Sequence, residues 1–256
     1  MSTFYITAEQ KNDNNITISG KDAKHIRSVL RYKIGDNVDV CDELGTRYET
    51  KLVNFVEDGV VLEILSQKVT ATESPIKITL FQGLPKGEKM DLIVQKATEL
   101  GVSEIVPVEM ERTIVKLDQK SAQKKVERWN KIAYEASKQS GRQIVPKVSN
   151  LDILKNIIEK FSKYDIVVLP YEKENGQNLK QLLEKNRNIK NIAIVIGPEG
   201  GFSDKDLALL NTDNVHSVTL GPRILRTETA GIAVLSMLLY EFEFWGVRNN
   251  ELHGKK

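Results

Sequence analysis

The sequence predicts an α/β protein in which a mainly parallel sheet, with helices on both faces, is preceded by a small β-barrel. Three observations lead there. Up to about residue 70, short apolar runs recur, and turns at Leu44-Gly45 and Asp58-Gly59 separate the later ones, as hairpins require. From Ile76 onward, strand-like runs alternate with helical patterns, the mark of parallel strands joined by crossover helices. Between the two lies KVTATESP, residues 68–75, a polar stretch ending in proline that reads as a linker. The chain is accordingly divided into domains 1–72 and 73–248.

In the first domain the strands are FYI (4–6), ITI (16–18), VDV (38–40), RYETKLVNFV (47–56) and VVLEIL (60–65), with one helix in DAKHIRSVLRY. Lys24, Arg27 and Arg31 follow an i, i+3, i+7 pattern on that helix, so they share one face while Ile26, Val29 and Leu30 point to another. In the second domain the strands are 76–82, 104–109, 165–169, 191–196 and 215–220. The helices are 88–100, 121–140, 150–161, 178–186, 204–211 and 228–243. On the helix from Ser121, Val126, Trp129, Ala133 and Ala136 form the apolar face, which turns Lys124, Arg128, Lys131, Lys138 and the following Arg142 outward. Trp129 is then a core residue and not a platform for a stacked base.

Composition narrows the partners. Net charge over 256 residues is only +2, but Lys21 to Lys33 holds five Lys or Arg against Asp22, and Arg112 to Lys147 holds ten against three acids. Two basic regions in a nearly neutral chain suggest a localised polyanion surface. The single cysteine, Cys41, rules out an intramolecular disulfide and reads as packing in a reducing compartment. His25, His216 and His253 are far apart, with no H-E-x-x-H pair, so no metal site is expected. The start MSTFYITAEQ lacks a basic then apolar leader, and the most apolar helix, around Gly231–Tyr240, is too short to span a bilayer. A cytoplasmic protein with no membrane association is expected.

In a parallel sheet, ligands bind at the carboxyl edge of the strands. Three loops meet that condition: Pro170-Tyr171-Glu172, Gly197 to Gly201 and Gly221 to Arg226. The second, G-P-E-G-G, has neither dinucleotide nor P-loop spacing, and Glu199 would repel a phosphate. Gly83 to Met90 misses the P-loop pattern as well. On the residues alone, the glycine loop is either a tight strand-to-helix turn or a ligand site, and Arg223 and Arg226 are either surface charges or part of that site. Thr227 stands where a helix N-cap is expected.

IGPEGGFSDKD and LGPRILRTETAGIAVLS, at this spacing, resemble the signatures of bacterial 16S ribosomal RNA uridine N3-methyltransferases, members of the SPOUT superfamily of knotted methyltransferases. HIRSVLRYKIGD (25–36), LPKGEKMDLIVQKATELGVSEIVP (84–107) and RWNKIAYEASKQSGRQIVPKV (128–148) extend the similarity over nearly the whole chain. The resemblance implies a PUA-like RNA-binding barrel followed by an α/β domain tied in a trefoil knot. It also implies a homodimer that binds S-adenosyl-L-methionine and produces N3-methyluridine in 16S rRNA of the small ribosomal subunit. This cofactor carries no phosphate, which suits a glycine loop without a phosphate lysine. The expected cofactor contacts are Leu169, Pro170, Ile196, Gly197, Pro198, Glu199, Gly200, Gly201, Leu220, Gly221, Ile224 and Leu225.

For the reaction, the imide nitrogen of uracil must lose its proton while charge spreads onto two carbonyl oxygens. Arg226 is the first candidate to stabilise that charge or to fix the target phosphate, and Arg223 the second. Glu228 is a candidate base, although a carboxylate in the first turn of a helix is also favoured by the dipole alone. Candidate RNA contacts are Lys24, His25, Arg27 and Arg31 in the first domain, with Lys86, Lys89, Arg128 and Arg142 in the matched segments downstream. A non-catalytic RNA-binding or assembly factor, or an α/β enzyme acting on a small molecule, are the competing readings.

Overall fold

Alternation of buried and exposed residues shapes the first sheet: along Asn15–Ser19 and from Tyr48 to Leu52, every second side chain is buried. The computed structural model describes residues 3–68 and 72–253, so part of the expected linker, residues 69–71, lies outside the described residues. The chain divides into two compact units. One runs to Glu73 and includes Ser137–Val145, and the other comprises Ser74–Ala136 and the residues from Pro146 onward.

The first unit holds β1 (Thr3–Ile6), β2 (Lys11–Asn12), β3 (Asn15–Ser19), α1 (Gly20–Lys24), β4 (Asn37–Asp42), β5 (Arg47–Val56) and β6 (Gly59–Lys68). The strands form one curled sheet in the order β1-β4-β5-β6-β3-β2, antiparallel except for β1 beside β4. Register shifts in the β5–β6 pair, at Glu49/Thr50 and Leu52/Asn54, add the local twist that bends such a sheet. Inside the curl Phe4, Ile16, Ile26, Leu52, Val60 and Leu62 are fully buried, each contributing about 1.5–3 kcal/mol by leaving water.

The expected helix over DAKHIRSVLRY is interrupted. After α1 the chain widens into a π-helical turn at His25–Val29, and Arg31 takes a left-handed φ of 55°. The i, i+3, i+7 face therefore does not form, because Arg31 lies beyond the helical part. Cys41 packs in the interior as expected, and burial pushes its thiol up to about 11.

The second unit is built on β7 (Lys77–Gly83), β8 (Glu104–Glu109), β9 (Lys147–Val148), β10 (Asp152–Ile153), β11 (Ile166–Pro170), β12 (Asn191–Ile196) and β13 (Val215–Val218). All pairings are parallel, in the order β10-β8-β7-β12-β11-β13 with β9 also on β8. Helices α2 (Lys89–Leu100), α3 (Gln119–Ser140), α4 (Leu154–Ile158), α5 (Leu179–Lys185), α6 (Asp204–Leu210) and α7 (Thr227–His253) complete it. α4 and α6 cover Phe81, Val108, Val167 and Val195 on one face of the sheet. On the other, α7 packs against β7, β12 and α2. Trp129 is buried in α3, as its apolar face predicts.

The expected helix 150–161 begins instead with two strand residues paired to Val108 and Glu109 of β8, leaving only five α-helical residues. A path across the sheet matters more for the site. The chain leaves β13 at the edge of the sheet, yet α7 packs on central β12 and β7. The connection 219–226 must therefore cross the carboxyl ends of the intervening strands.

Candidate active site

The end of β7 sets how closely two of the loops approach. A Cβ on Gly83 would lie 2.5 Å from the nitrogen of Pro198 and 2.8 Å from the carbonyl carbon of Gly197, so only glycine lets the turn after β12 settle on β7. Gly201 takes a left-handed φ of 66° and its N–H closes onto the carbonyl of Pro198 at 2.9 Å. The turn is then anchored into α6 by a reciprocal cap: Asp206 N–H donates to Ser203 Oγ and Ser203 N–H donates to the Asp206 carboxylate, both at 3.0 Å. Arg112 grips the exposed side of the turn, its guanidinium donating to the Gly200 carbonyl at 3.1 Å.

Charge holds the same turn from a third side. Glu199 accepts from the Lys86 backbone N–H at 3.0 Å and from the Lys89 ammonium at 2.9 Å, and Lys89 also lies 3.6 Å from the carboxylate of Glu228. Partial burial by itself raises the Glu199 carboxyl. The Lys89 ammonium and the backbone N–H groups outweigh that and hold it below the usual carboxylate range. The hydrogen bond that Lys89 donates to Glu199 raises Lys89 correspondingly.

The start of α7 joins the group. Thr227 does not cap its own helix as expected. The Arg226 carbonyl accepts from the N–H groups of Thr229 and Ala230 at 2.9 and 2.8 Å, while the Thr227 hydroxyl reaches out to the Gly197 carbonyl at 2.6 Å. The three predicted loops thereby enclose a cavity of about 470 Å³ lined by Pro170, Glu172, Ile196 to Phe202, Ile224 to Thr227, Ala230 and Lys89. That volume is within the range of small-molecule sites.

Eleven of the twelve predicted cofactor contacts line this cavity or the smaller one that shares Pro170, Ile224 and Leu225 with it. Ile196, Gly197, Pro198, Glu199, Gly200 and Gly201 face the larger, and Leu220 and Gly221 face only the smaller. Leu169 is different: it is buried with Phe81 and Val195 in the core beneath, as alternation along a strand dictates once its neighbour Pro170 faces outward. Ile224 is 84% exposed despite being apolar. Arg226 is exposed on the larger cavity and Arg223 on the smaller. Glu228 lines neither.

Sequence reasoning put Glu172 in a candidate loop without naming it as a contact, and it missed Gln82, Arg112 and Phe202. Gln82 alone left a signal: it is a polar residue at the end of the otherwise apolar run ITLF, and it is completely buried.

The candidate RNA contacts separate into two groups. Lys24, Arg31 and Lys86 are exposed. Arg27, by contrast, donates to the carbonyls of Val56 and Gly59 and lies over the Phe55 ring, 5.0 Å from its centre. His25 packs edge-on to Phe4 at 6.2 Å, and Arg128 is held by Asp91 and Glu88. Lys89 is held in the site by its two carboxylates. Arg142, expected to point outward, is 5% exposed and paired with Glu73 at 2.5 Å. Lys138 is likewise turned in, 4.6 Å from the centre of the Phe4 ring.

Known proteins resemble this chain in sequence and fold. Residues 72–239 match the model of the RNA methyltransferase domain, and residues 18–65 that of the RNA methyltransferase PUA domain. The ribosomal RNA small subunit methyltransferase E of Bacillus subtilis is 36% identical over 231 residues, covering 89% of this chain and 90% of its own. The protein of the same name from Aquifex aeolicus is 34% identical over 93% of this chain and 99% of its own. A crystal structure of the ribosomal RNA small subunit methyltransferase E from Neisseria gonorrhoeae, bound to S-adenosyl methionine, superimposes with a TM-score of 0.81. It is 30% identical and covers 94% of this chain and 98% of that one.

Proposed function

Because this chain belongs to the RNA methyltransferase family that includes the ribosomal RNA small subunit methyltransferases E, we propose that it methylates N3 of a uridine in 16S rRNA, using S-adenosylmethionine. The observation that carries the reading is the convergence of three loops, from the ends of β11, β12 and β13, on one cavity of about 470 Å³.

The residues present suit this cofactor. Ile224 and Leu225 offer an apolar wall, and an isoleucine left 84% exposed beside a cavity is surface that a flat, largely apolar adenine would cover. The backbone of the Gly197–Gly201 turn and of 224–225 lines the cavity, and its groups outside the internal pairs at Gly197, Gly200 and Gly201 would be the ones to hydrogen-bond a base edge. The lining sets Glu172 and Glu199 against Lys89 and Arg226, with Glu199 already paired to Lys89, a balanced charge that lacks the cluster of cations a polyphosphate would need. When bound, S-adenosylmethionine supplies a methyl group on a positively charged sulfur, activated for transfer to a nucleophile.

The chain's own contribution is then electrostatic and positional. Arg226 projects at the cavity from the residue whose carbonyl starts α7, so its guanidinium is fixed at its base and free at its tip. There it stabilises the charge that spreads onto the uracil carbonyl oxygens as N3 loses its proton. Arg223, on the smaller cavity, suits a neighbouring phosphate. Glu228, tied to Lys89 and facing neither cavity, acts in fixing the start of α7 rather than as the base.

RNA is gripped by exposed cations, Lys24, Arg31 and Lys86 foremost. A homodimer accords with the exposed Leu92, Met237 and Tyr240 on α2 and α7, helices that pack together. Among the described residues, no helix is long and apolar enough to cross a membrane, and we place the activity in the cytoplasm with its ribosomal substrate.

Nucleoside mass spectrometry of small-subunit RNA from cells lacking this protein tests the reading: one N3-methyluridine should disappear and return with the intact gene. An unchanged nucleoside profile, or a purified folded protein that takes up no S-adenosylmethionine in calorimetry, would overturn it.

A further inference from the structure

Gln82 is the last-but-one residue of β7 and has no exposed surface. Its amide nitrogen donates to the Gly83 carbonyl at 3.0 Å and to the Thr227 hydroxyl at 2.8 Å. That hydroxyl has a single proton and gives it to the Gly197 carbonyl at 2.6 Å. The direction of the chain is thus fixed, from Gln82 through Thr227 to Gly197. Reversing the amide would set its oxygen against the Gly83 carbonyl, acceptor to acceptor. On the other side, the amide oxygen has no hydrogen-bond partner, and a Cβ on Gly231 would come within 3.2 Å of it. The group is accordingly wedged under α7, with its donor end directed at Thr227.

We propose that Gln82 and Thr227 form a positioning relay for the cofactor site, setting the Gly197–Gly201 turn and Arg226 in register before any ligand arrives. The inference rests on the methyltransferase reading above. Its three members come from separate segments: the end of the central strand β7, the turn after β12 and the residue that follows Arg226. A buried donor or acceptor left without its partner carries its full desolvation cost. β7 and α7 are held by the core and cannot relieve that cost. The turn borders an open cavity and can do so by lifting until water reaches the Gly197 carbonyl. Loss of the relay should therefore loosen the turn rather than unfold the unit. Neither side chain need touch the reacting atoms.

Thr227→Val removes the hydroxyl at nearly constant shape, Thr227→Ser keeps it, and Gln82→Met removes the donor. In protein without cofactor, amide exchange across residues 197–202 should rise about tenfold in Thr227→Val, rise less in Gln82→Met and stay at the wild-type rate in Thr227→Ser. Affinity for S-adenosylmethionine should weaken in the same order, by about tenfold in Thr227→Val. Unchanged exchange and affinity in Thr227→Val would overturn the relay. So would a Thr227→Ser protein as impaired as Thr227→Val, since packing and not the hydroxyl would then matter. Should Thr227→Val not fold, Gln82→Met against Thr227→Ser decides the same question. Wild-type protein that binds no cofactor would refute the methyltransferase reading, while the exchange comparison still decides on the relay.

Discussion

At the scale of single residues, the site is held together by contacts whose loss has a calculable sign. Glu199 has its carboxyl held below its ordinary 4.5, so its contribution to the turn is complete above that value and fades as pH falls through the lower folded-state value. Lys89 is raised above its ordinary 10.5, so its contribution is complete below that value and fades as pH rises past it. Exchange of the 197–202 amides, extrapolated to constant intrinsic rate, should be flat between about pH 5 and 10 and rise outside that window. Lys89→Gln should flatten the alkaline limb. Gly83→Ala acts differently, by overlap: its new methyl meets backbone 2.5 Å away, and thermal unfolding should report a loss of about 1–3 kcal/mol. The glycines and Glu199 were legible through the resemblance of IGPEGGFSDKD to a family signature, since loop spacing by itself excluded a phosphate cradle but left a plain turn possible. Gln82 and Arg112 were not, since each reaches the turn across more than eighty residues of chain.

Elements were more legible than their ends. β5 over Arg47–Val56, β8 over Glu104–Glu109 and β12 over Asn191–Ile196 follow directly from alternating or continuous apolar runs. What local pattern does not carry is pairing. The 150–161 segment has helical composition, but Asp152 and Ile153 are taken by an edge of the sheet. The last turn of α3 shows the same effect. Its cations look solvated by helical spacing, yet Ser137–Val145 belongs with the first unit. There Glu73 accepts from the Arg142 guanidinium and from the N–H groups of Gln143 and Ile144 at 3.0 and 3.2 Å, and the Tyr5 hydroxyl donates to the Arg142 carbonyl at 2.5 Å. Removing one partner of a buried ion pair costs about 3–5 kcal/mol. Because the Glu73 carboxylate is partly exposed, Glu73→Ala should lower the unfolding free energy by less than that, read by denaturant titration. A variant of wild-type stability would show that the pair is not the clamp it looks.

For the molecule as a whole, the net charge of +2 conceals which cations are available to a polyanion. Spacing in the sequence put Lys24, Arg27, Arg31 and Arg142 in one class, and folding divides them. Arg27 is consumed by two backbone carbonyls at the β5–β6 turn and by the Phe55 ring, and Arg142 by Glu73, whereas Lys24 and Arg31 are exposed. A cation that contacts phosphate displaces a counterion, and its removal lowers the slope of log affinity against log salt by about 1 without changing the fold. Lys24→Ala and Arg31→Ala should each lower that slope for small-subunit RNA by about 1 while melting like the wild type. Arg27→Ala should leave the slope nearly intact and lower the melting temperature instead, because two carbonyls lose their donor. Filter binding at several salt concentrations, paired with thermal melts, separates the two outcomes. A full slope change in Arg27→Ala with an unaltered melt would return that arginine to the RNA surface and remove the structural role its contacts assign to it.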